Sequence, residues 1–409
     1  MTTLTTRCCI AGGGPAGMML GLLLARAGVE VMVLEKHADF LRDFRGDTIH
    51  PSTLEVMHEL GLVDELLTLP HQEIRELTGM VGGERITLAE FGQLPVHCPF
   101  IVLLPQWDFL DFLARHAKQY PGFALRMSTG VTDLLHDGDR VVGVRALAPD
   151  GPLEVRADLV VGADGRDSRV RAAADLSVRT FGAPMDVLWF RLPKTAGTRQ
   201  PVLGRIEAGR IFVMLDRGDY WQCGFVIAKG TVDEIRARGI ASFRDEVARL
   251  AGAPPATGVL GTWDEVKLLT VRVDRLTKWF RDGVLCIGDA AHAMSPVGGV
   301  GINLAIQDAV AAANLLTTPL RQGRVGLRDL AQVQRRRVWP TRVTQRIQVL
   351  VQNRILRRIL KADRPLKPPF AVQMLARLPS LRRLTGRAIG LGVRPEHVGV
   401  VGRRLPRTG

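Results

Sequence analysis

The sequence predicts an α/β protein in which a nucleotide-type βαβ sheet is interrupted by β-rich segments and followed by a helical region. Three observations support this prediction. The N-terminus has the pattern of strand, glycine-rich turn, helix and strand; two later buried strands each end beside an aspartate; and short strands fill the segments between them. The chain has 409 residues, enough for two or three domains with a large core.

The N-terminal elements form one βαβ unit. Residues 7–11 are a short apolar run that predicts a buried strand, and residues 12–17 form a glycine-rich turn. A helix is expected from Pro15 onward with Gly28 as its C-cap, followed by a strand over 29–34.

The rest of the chain alternates between helical and strand-like patterns. Helices are expected at 51–66, 107–118, near Ser168 as N-cap, at 232–251 and from about Asn303. Strands are expected at 141–148, 153–155, 157–163 and 284–287, and short strands within the regions 73–99 and 187–226, with hairpin turns at Gly82-Gly83 and 149–151. These boundaries predict a discontinuous nucleotide domain (1–72, 100–180 and 275–330), an inserted β-sheet domain (73–99 and 181–274) and an arginine-rich helical C-terminal region (331–409).

The net charge of +14 is concentrated near the C-terminus. Residues 321–409 contain 22 arginines and lysines but only three carboxylates, those of Asp329, Asp363 and Glu396. A basic helix over 341–360 could touch an anionic membrane surface; the alternative is a helix that packs on the nucleotide domain with a solvated basic face. The bias towards arginine runs through the whole chain, so we expect no nucleic-acid partner. The sequence leaves the oligomeric state open.

The cysteines predict an intracellular protein. There are five, at positions 8, 9, 98, 223 and 286, and none forms a CxxC pair or a cluster with zinc-ligand spacing. We expect buried, unreactive thiols and no metal site. No signal peptide and no long apolar run are recognisable, so we expect a cytoplasmic protein without a spanning helix.

The first motif with chemical meaning is Gly12-x-Gly14-x-x-Gly17, between a strand and a helix. Gly12 permits a tight turn, Gly14 lets a diphosphate approach the backbone, and Gly17 lets the helix pack closely on the strand. The helix N-terminus offers N–H groups to phosphate. Glu35, at the end of the second strand, can bind ribose hydroxyls. The motif predicts an adenine dinucleotide and does not by itself distinguish NAD from FAD.

Two later segments add further binding groups at strand ends. One is the buried strand that runs into Asp164-Gly165 and then a helix. The other ends in Gly288-Asp289 and is followed by the glycine-rich loop 295–301 and a long helix. An aspartate in such a position can bind sugar-alcohol hydroxyls, and the loop supplies backbone donors for the anionic edge of a ring.

Together, in this order and at this spacing, the three segments resemble the flavoprotein hydroxylases of the para-hydroxybenzoate hydroxylase type, the single-component class A monooxygenases. The resemblance extends from about residue 7 to about residue 315. It implies a Rossmann-like FAD-binding domain with an inserted substrate-binding β-sheet. In that family the first motif holds the ADP part of FAD, the Asp-Gly segment lies where FAD and the pyridine nucleotide meet, and the Gly-Asp segment binds the ribityl chain.

Residue by residue, the resemblance implies that Glu35 binds ribose, that Arg45 serves FAD and the nicotinamide nucleotide, and that Gln106 lies beside the flavin. The loop against the flavin ring would contribute Pro296, Gly298 and Gly299 to catalysis. The complete expected set of cofactor-binding residues is Gly12, Gly14, Pro15, Ala16, Gly17, Glu35, Lys36, Arg45, Gln106, Asp164, Gly165, Gly288, Asp289, Gly301, Ile302 and Asn303.

Several of these residues have simpler alternatives. Arg45 could be a solvated loop residue, Gln106 could merely begin and cap its helix, and Asp164 could be a turn residue. His292 could serve as an acid or base, but it follows a buried strand and could instead pack or hydrogen-bond locally.

The resemblance also implies the reaction. NAD(P)H reduces FAD by hydride transfer, and a flavin C4a-hydroperoxide formed with O2 transfers one oxygen atom to the substrate. Only one GxGxxG motif follows a strand and carries an acid, so NAD(P)H is expected to bind transiently in a surface groove. The pocket must exclude water for oxygen transfer to succeed.

The β-rich segments would form the substrate wall over the flavin, with alternate residues facing the pocket. Candidate pocket residues are Met214, Tyr220 and Gln222, together with Pro296. The chain has only two tyrosines, which argues against the tyrosine relay of the phenol-hydroxylating prototype. An apolar pocket favours a lipophilic, aromatic or polyketide-like substrate.

Other functions remain open on the sequence alone. An FAD-dependent reductase or dehydrogenase could use the same scaffold. A flavin-binding module without catalysis would hold flavin that NAD(P)H cannot reduce. A flavin halogenase is disfavoured, because the sequence contains no WxWxIP string.

Overall fold

The computed structural model describes residues 2–41, 48–194, 204–252, 260–364 and 370–399. The strands in these ranges are β1 Thr2–Ala11, β2 Val31–Leu34, β3 Thr48–Ile49, β4 Gln72–Ile74, β5 Glu76–Val81, β6 Glu84–Glu90, β7 Ile101–Leu103, β8 Phe123–Arg126, β9 Gly130–Asp137, β10 Arg140–Ala148, β11 Gly151–Gly162, β12 Val178–Thr180, β13 Met185–Pro193, β14 Gly204–Glu207, β15 Arg210–Asp216, β16 Tyr220–Ala228, β17 Lys267–Leu269, β18 Asp274–Leu276, β19 Phe280–Arg281 and β20 Val284–Cys286.

The α-helices in the same ranges are α1 Pro15–Arg26, α2 Pro51–Glu59, α3 Val63–Leu66, α4 Gln106–Ala117, α5 Arg169–Ala173, α6 Val232–Ala237, α7 Ile240–Ala251, α8 Gly301–Arg321, α9 Leu327–Val351, α10 Arg357–Leu360, α11 Phe370–Arg377 and α12 Pro379–Gly390. Short 3-10 turns occur at Trp263–Glu265, Gly288–Ala290 and Val297–Gly299, and a π-helical turn, Gln352–Leu356, joins α9 to α10.

The larger sheet is built on parallel strands in the order β20, β11, β1, β2 and β8. β11 pairs with β1 along one edge, while its other edge is shared by the antiparallel β10 at its start and by β20 at its end. β9 continues the sheet beyond β10, and β19 pairs with β20. α1 packs against β1, β2, α4 and α8. This architecture confirms the predicted α/β class with a Rossmann-like nucleotide-binding unit.

The N-terminal sequence explains why this unit forms. Cys8, Cys9 and Ile10 are fully buried, because a central parallel strand with helices on its faces needs apolar residues in succession. α1 begins at Pro15, whose missing N–H costs nothing in the first turn. It ends before Gly28, which has φ +75° and turns the chain into β2.

The five cysteines are free and buried, as the sequence predicted. Burial raises the pKa of Cys9 to about 12. A thiol in that state is protonated and unreactive at neutral pH.

The second sheet has the strand order β17, β13, β16, β15, β14, β5 and β6. Its neighbours are antiparallel except β14 and β5, which are parallel. α6 and α7 cover one face, where Phe190, Phe212, Phe225 and Phe243 pack together. The single helix predicted over 232–251 is wrong: Gly239 has φ +85° and separates α6 from α7.

Two small sheets lie beside the predicted domain boundaries. β3 and β4 both pair with β7, and β12 pairs with β18. α12 packs against β6 of the second sheet, so the C-terminal region contacts more than the nucleotide-binding unit. The division of the chain into three regions, with the boundaries given above, remains a proposal.

One stretch of the described chain, Val297–Arg321, is long and apolar enough to cross a membrane by length and composition. Two thirds of its most apolar window (67%) is buried inside the protein. It contains α8, which packs against α1 and α9. Burial in a protein core accounts for the same composition.

Candidate cofactor and active site

Four parallel strands end at the same level on one edge of the larger sheet. Ala11 of β1 pairs with Leu34 of β2 and with Gly162 of β11, and Gly162 pairs in turn with Cys286 of β20. The carboxyl edge of such a sheet is where α/β proteins bind ligands. The motif residues that follow these strand ends, and so meet at this edge, are Gly12, Glu35, Asp164, Gly288 and Asp289.

The glycine loop packs tightly against neighbouring backbone at Gly12 and Gly17, whereas its backbone at Gly14 is uncovered. Gly12 has φ +103°, and a Cβ there would lie 2.4 Å from the carbonyl oxygen of Ala163. A Cβ at Gly17 would lie 2.0 Å from the Gly12 carbonyl oxygen, so only glycine permits α1 to approach β1 this closely. At Gly14 a Cβ would meet nothing within 4 Å of the described chain, and no side chain there caps α1. This open backbone at a helix N-terminus fits the diphosphate of a dinucleotide.

Glu35 lies against this loop and is only 8% exposed. Its carboxylate accepts hydrogen bonds from the backbone N–H of Gly13 (2.8 Å) and of His37 (3.0 Å). A carboxylate has about four acceptor positions. The two bonds therefore fix the side chain in an arrangement compatible with ribose hydroxyls.

Asp164 and Ser168 together cap α5. One Asp164 oxygen accepts from the backbone N–H groups of Arg169 (2.7 Å) and Val170 (3.2 Å), and the other accepts from the Ser168 hydroxyl. Ser168 in turn accepts from the Arg171 N–H (2.9 Å), which confirms the predicted N-cap. Burial raises the pKa of Asp164 despite these bonds. The Asp164 carboxylate thus stabilises the turn that leads into α5, which is the alternative role considered for it from the sequence.

Arg166 links the Asp-Gly and Gly-Asp motifs. Gly165 has φ +84° and turns the chain towards it. The Nε of Arg166 donates to a carboxylate oxygen of Asp289 over 3.1 Å, and both side chains are partly exposed. Arg166 was not among the predicted site residues, although its place two residues after Asp164 was an available signal.

The predicted flavin-ring loop is a turn that depends on glycine. Gly298 and Gly299 have φ of +80° and +64°. A Cβ at Gly299 would lie 2.4 Å from the Thr48 hydroxyl, which donates to the Gly299 carbonyl (3.0 Å). Gly298 is exposed and Pro296 is partly exposed. The loop therefore presents backbone atoms and a proline ring at the surface.

α8 begins directly after this loop, at Gly301, followed by Ile302 and the buried Asn303. The Asn303 amide nitrogen donates to the backbone carbonyls at 48 and 299 (3.2 and 3.3 Å). Its amide oxygen accepts from the His50 N–H and the Thr53 hydroxyl, both at 2.8 Å. These four bonds occupy the side chain with protein groups. The predicted cofactor contact at Asn303 is therefore restricted to its backbone.

α9 holds the loop segment from its other side. The Gln348 amide donates to the carbonyls of Ser295 (3.0 Å) and Val297 (2.9 Å) and accepts from the Ser295 N–H (3.2 Å). One turn earlier, Gln345 donates to the carbonyl of Ala293 (3.1 Å). Neither glutamine was among the predicted site residues, because these contacts join segments about 50 residues apart.

A buried ionic network lies beneath the Gly-Asp motif. Asp308 accepts from the Gly288 N–H (3.1 Å), from His292 (2.5 Å) and from Arg337 (2.9 Å). Arg337 also donates to the Glu396 carboxylate (3.1 Å), near the end of the described chain. Burial would raise the pKa of Asp308, but His292 and Arg337 outweigh it and hold the pKa below its usual value. His292 is thus placed in a structural network.

The remaining predicted cofactor residues are spread around this edge. Pro15 and Ala16 form the first turn of α1, and Lys36 follows Glu35 with an exposed side chain. Gln106 is the first residue of α4 and is partly exposed. Arg45 lies outside the described residues.

The two faces of the second sheet separate the predicted pocket residues. Side chains alternate along a strand, so Met214 shares a face with Phe212 and packs in the cluster under α7. The other face carries Ile211 and Val226, which cluster with Val297 of the flavin-ring loop. Met214 therefore does not line the face that meets this loop, and its assignment to the pocket is corrected.

Tyr220 and Gln222 lie on the loop-facing side of β16, the same side as Gly224 and Val226. A Cβ at Gly224 would lie 3.2 Å from the ring of Trp189, so the indole packs directly over this glycine. Gln222 is buried and accepts from the Arg217 Nε (3.0 Å). Trp189 and Gln222 thus offer a flat aromatic and a polar group on this face, next to Arg191, which is the cross-strand partner of Gln222 and lies over the Tyr220 ring.

Comparison with known proteins agrees with this geometry. Residues 5–346 match the family model described as an FAD binding domain. The chain is 32% identical over 386 residues to 6-methylpretetramide 4-monooxygenase of Streptomyces rimosus, covering 93% of this chain and 91% of that protein. It is 29% identical to rifampicin monooxygenase of Streptomyces venezuelae, covering 73% of this chain but only 61% of that longer protein.

Solved structures share the fold. The anhydrotetracycline hydroxylase of Streptomyces rimosus superposes with a TM-score of 0.75 at 24% identity, covering 98% of this chain and 80% of that one. At this level of identity the likeness concerns the fold alone.

Proposed function

The chain belongs to the FAD-binding-domain family, and from this premise we propose that it is an NAD(P)H-dependent monooxygenase of a lipophilic, aromatic or polyketide-like substrate. The enzyme is an FAD-dependent oxidoreductase that uses NAD(P)H and O2. The observation that carries the proposal is the meeting of three dinucleotide-type motifs at one sheet edge, in a chain 32% identical over most of its length to a monooxygenase.

The sheet edge supplies the binding groups for the cofactor. The backbone N–H groups after Gly14 would hold the diphosphate, and Glu35, fixed by the Gly13 N–H, would hold ribose. Asp289 would accept from hydroxyls of the ribityl chain, with Arg166 orienting its carboxylate. Bound FAD supplies the redox centre that takes hydride from NAD(P)H and, once reduced, activates O2.

The loop-facing side of the second sheet supports a lipophilic substrate. Ile211, Val226 and Val297 form an apolar cluster there, and the Trp189 ring lies over Gly224. Such a face favours a flat aromatic ligand and excludes water from the flavin-ring loop. These residues bind and orient the substrate, and no acid, base or nucleophile on this face is needed for oxygen transfer.

Product analysis after turnover in isotopically labelled O2 tests the reaction class. The purified holoenzyme is mixed with NADPH or NADH and with quinizarin and anhydrotetracycline as tricyclic and tetracyclic probes. We expect probe-stimulated oxidation of the reduced nucleotide and one labelled oxygen atom in the product. A product oxidised without label would assign the chain to the dehydrogenases. Flavin that neither nucleotide reduces, with or without probe, would assign it to non-catalytic flavin binding.

A matched pair of variants tests the substrate face. Trp189→Ala removes the aromatic surface beside Gly224, and we expect kcat/KM for the probe to fall by at least tenfold with FAD affinity unchanged. Met214→Ala opens a comparable space on the opposite face and should lower stability while leaving KM unchanged. Equal kinetic effects of both variants would contradict the assignment of the pocket to the loop-facing side.

We propose a cytoplasmic location, which the dependence on NAD(P)H and the five free thiols support. Substrate access by weak contact of the basic C-terminal region with a membrane surface is compatible with a lipophilic substrate.

A further inference from the structure

α9 and the turns that follow it have two very different sides. The buried side holds the flavin-ring loop through Gln345 and Gln348. The opposite side is solvent-exposed, with residues recurring at spacings of three and four. We call this side the α9 face; its exposed residues are Arg335, Trp339, Arg342, Arg346, Ile347, Leu350, Arg354, Ile355, Arg357 and Arg358.

The α9 face carries positive charge that no acidic side chain in the described part of the chain neutralises through an ion pair. The sequence from 330 to 362 contains no aspartate or glutamate. Arg336 and Arg337, on the inner side of the helix, pair with Glu396, whereas none of the six arginines of the α9 face forms an ion pair within the described residues. Six like charges along a single helical segment create a strong local positive potential.

Neighbouring strands extend this charge. Arg179 of β12 and Arg275 of β18 are direct cross-strand partners, and both guanidinium groups lie over the Phe181 ring at 5.3 and 5.0 Å from its centroid. Burial and then the charges of Arg342, Arg179 and Arg346 lower the pKa of Arg275. The guanidinium groups of Arg342, Arg179 and Arg346 are therefore close enough to repel that of Arg275, so the positive charge spans α9, β12 and β18.

Large apolar side chains are interspersed among these charges. Trp339 is 53% exposed, and Ile347 and Leu350 are each 51% exposed. Ile355 is also exposed, one turn further on. An exposed helix side that combines arginine with tryptophan and branched aliphatic residues can contact both the anionic headgroups and the apolar boundary of a membrane interface.

We propose that the α9 face binds the surface of an anionic phospholipid membrane. The charge selects a polyanion, and six exposed arginines match the number found in helices that recognise anionic headgroups. The aliphatic side chains of Ile347 and Leu350 favour lipid over nucleic acid, whose bases stack on aromatic groups. A second copy of this chain would bring like charges together and is disfavoured.

Vesicle co-sedimentation of the holoenzyme tests this binding without any turnover, so its outcome is separate from that of the monooxygenase experiment. Vesicles of phosphatidylcholine alone are compared with vesicles of equal parts phosphatidylcholine and phosphatidylglycerol. We expect binding to the anionic vesicles only, and weakening as added salt shortens the screening length. Equal binding to both kinds of vesicle, or to neither, would overturn the proposal.

Three double variants locate the contact. Arg342→Glu with Arg346→Glu should weaken partitioning at least tenfold, because each basic side chain near an anionic surface contributes about 1 kcal/mol. Arg236→Glu with Arg238→Glu makes the same change in net charge on and beside α6 and should leave partitioning nearly unchanged. Trp339→Ala with Leu350→Ala should also weaken it, with charge unaltered. Full binding by this last variant would show non-specific attraction of a polyanion and contradict a membrane contact.

Discussion

His50 is a residue whose charge state the fold controls. It is fully buried at the start of α2, and its Nδ1 lies 2.9 Å from the Ile389 carbonyl oxygen. Burial lowers its pKa to about 4, against the opposing effect of that hydrogen bond. The unfolded chain, with a histidine pKa near 6.5, therefore binds one proton more than the folded chain between these values.

This difference predicts that the protein loses stability as pH falls from about 6.5 to about 4, by on the order of 3 kcal/mol from His50 alone. The measurement is the free energy of unfolding by urea across that range. His50→Gln can still donate to the Ile389 carbonyl but does not titrate, so its stability should depend less steeply on pH. His58→Gln changes an exposed ring and should keep the wild-type slope. Identical slopes for all three proteins would refute the assignment to His50.

Glu35 couples the glycine loop to the end of β2. Glu35→Ala removes a buried, charged acceptor from the Gly13 N–H, an interaction that contributes about 1.5–3 kcal/mol. We expect the Kd of FAD to rise by roughly 10- to 100-fold, measured by flavin fluorescence on titration of the apoprotein. The exposed Glu30, at the start of the same strand region, is the control: Glu30→Ala should bind FAD like the wild type. An unchanged Kd for Glu35→Ala would exclude this carboxylate from cofactor binding.

At the scale of elements, α12 packs closely on β6 of the second sheet. A Cβ at Gly386 would lie 1.9 Å from the carbonyl oxygen of Glu90 in β6. Gly386→Ala must push the helix away, and overpacking of this kind costs about 1–3 kcal/mol of folding free energy. Thermal unfolding should detect the loss, while Ser380→Ala on the exposed side of the same helix should remain within about 0.5 kcal/mol of wild type. Equal stability of the two variants would mean that α12 is not closely packed on β6.

Elements built from local patterns could be predicted, and elements fixed by distant partners could not. β1, α1 and β2 follow from an apolar run, Pro15 and Gly28, all within one short segment. The hydroxyl of Ser168 caps α5 as the sequence indicated. By contrast, the face on which Met214 lies depends on the strand register and on where α7 packs, and no local pattern specifies either.

The same distinction holds for the candidate site. The motif glycines and Glu35 could be named because their spacing within one βαβ unit is itself a sequence signal. Gln348 holds the flavin-ring loop from 51 residues away, and no turn or strand signal announces such a contact. Asn303 was predicted to bind the cofactor, but its side chain accepts from His50 and Thr53, which only the folded chain brings near it.

At the scale of the whole molecule, charge links the C-terminal segment to the cofactor edge. Glu396 contacts Arg337 of α9, Arg337 contacts Asp308 of α8, and Asp308 accepts from the Gly288 N–H at the end of β20. Arg337, Asp308 and Glu396 are each less than 5% exposed. The segment around Glu396, helix α8 and the turn at Gly288 thus all depend on the buried guanidinium group of Arg337.

Replacing Arg337 should lower the free energy of unfolding far more than replacing the adjacent Arg336. Arg337→Met leaves the buried Asp308 with only His292 and the buried Glu396 with only Arg336 as side-chain partners, and loss of one partner of a buried ion pair costs about 3–5 kcal/mol. Arg336→Met removes a half-exposed arginine from the same Glu396 carboxylate and should cost less than about 1 kcal/mol. Because Asp308 also holds the Gly288 turn, Arg337→Met should in addition weaken FAD binding, whereas Arg336→Met should not. Urea unfolding and FAD titration of both variants measure the two effects, and equal losses would mean that the C-terminal segment is only loosely coupled to the cofactor edge.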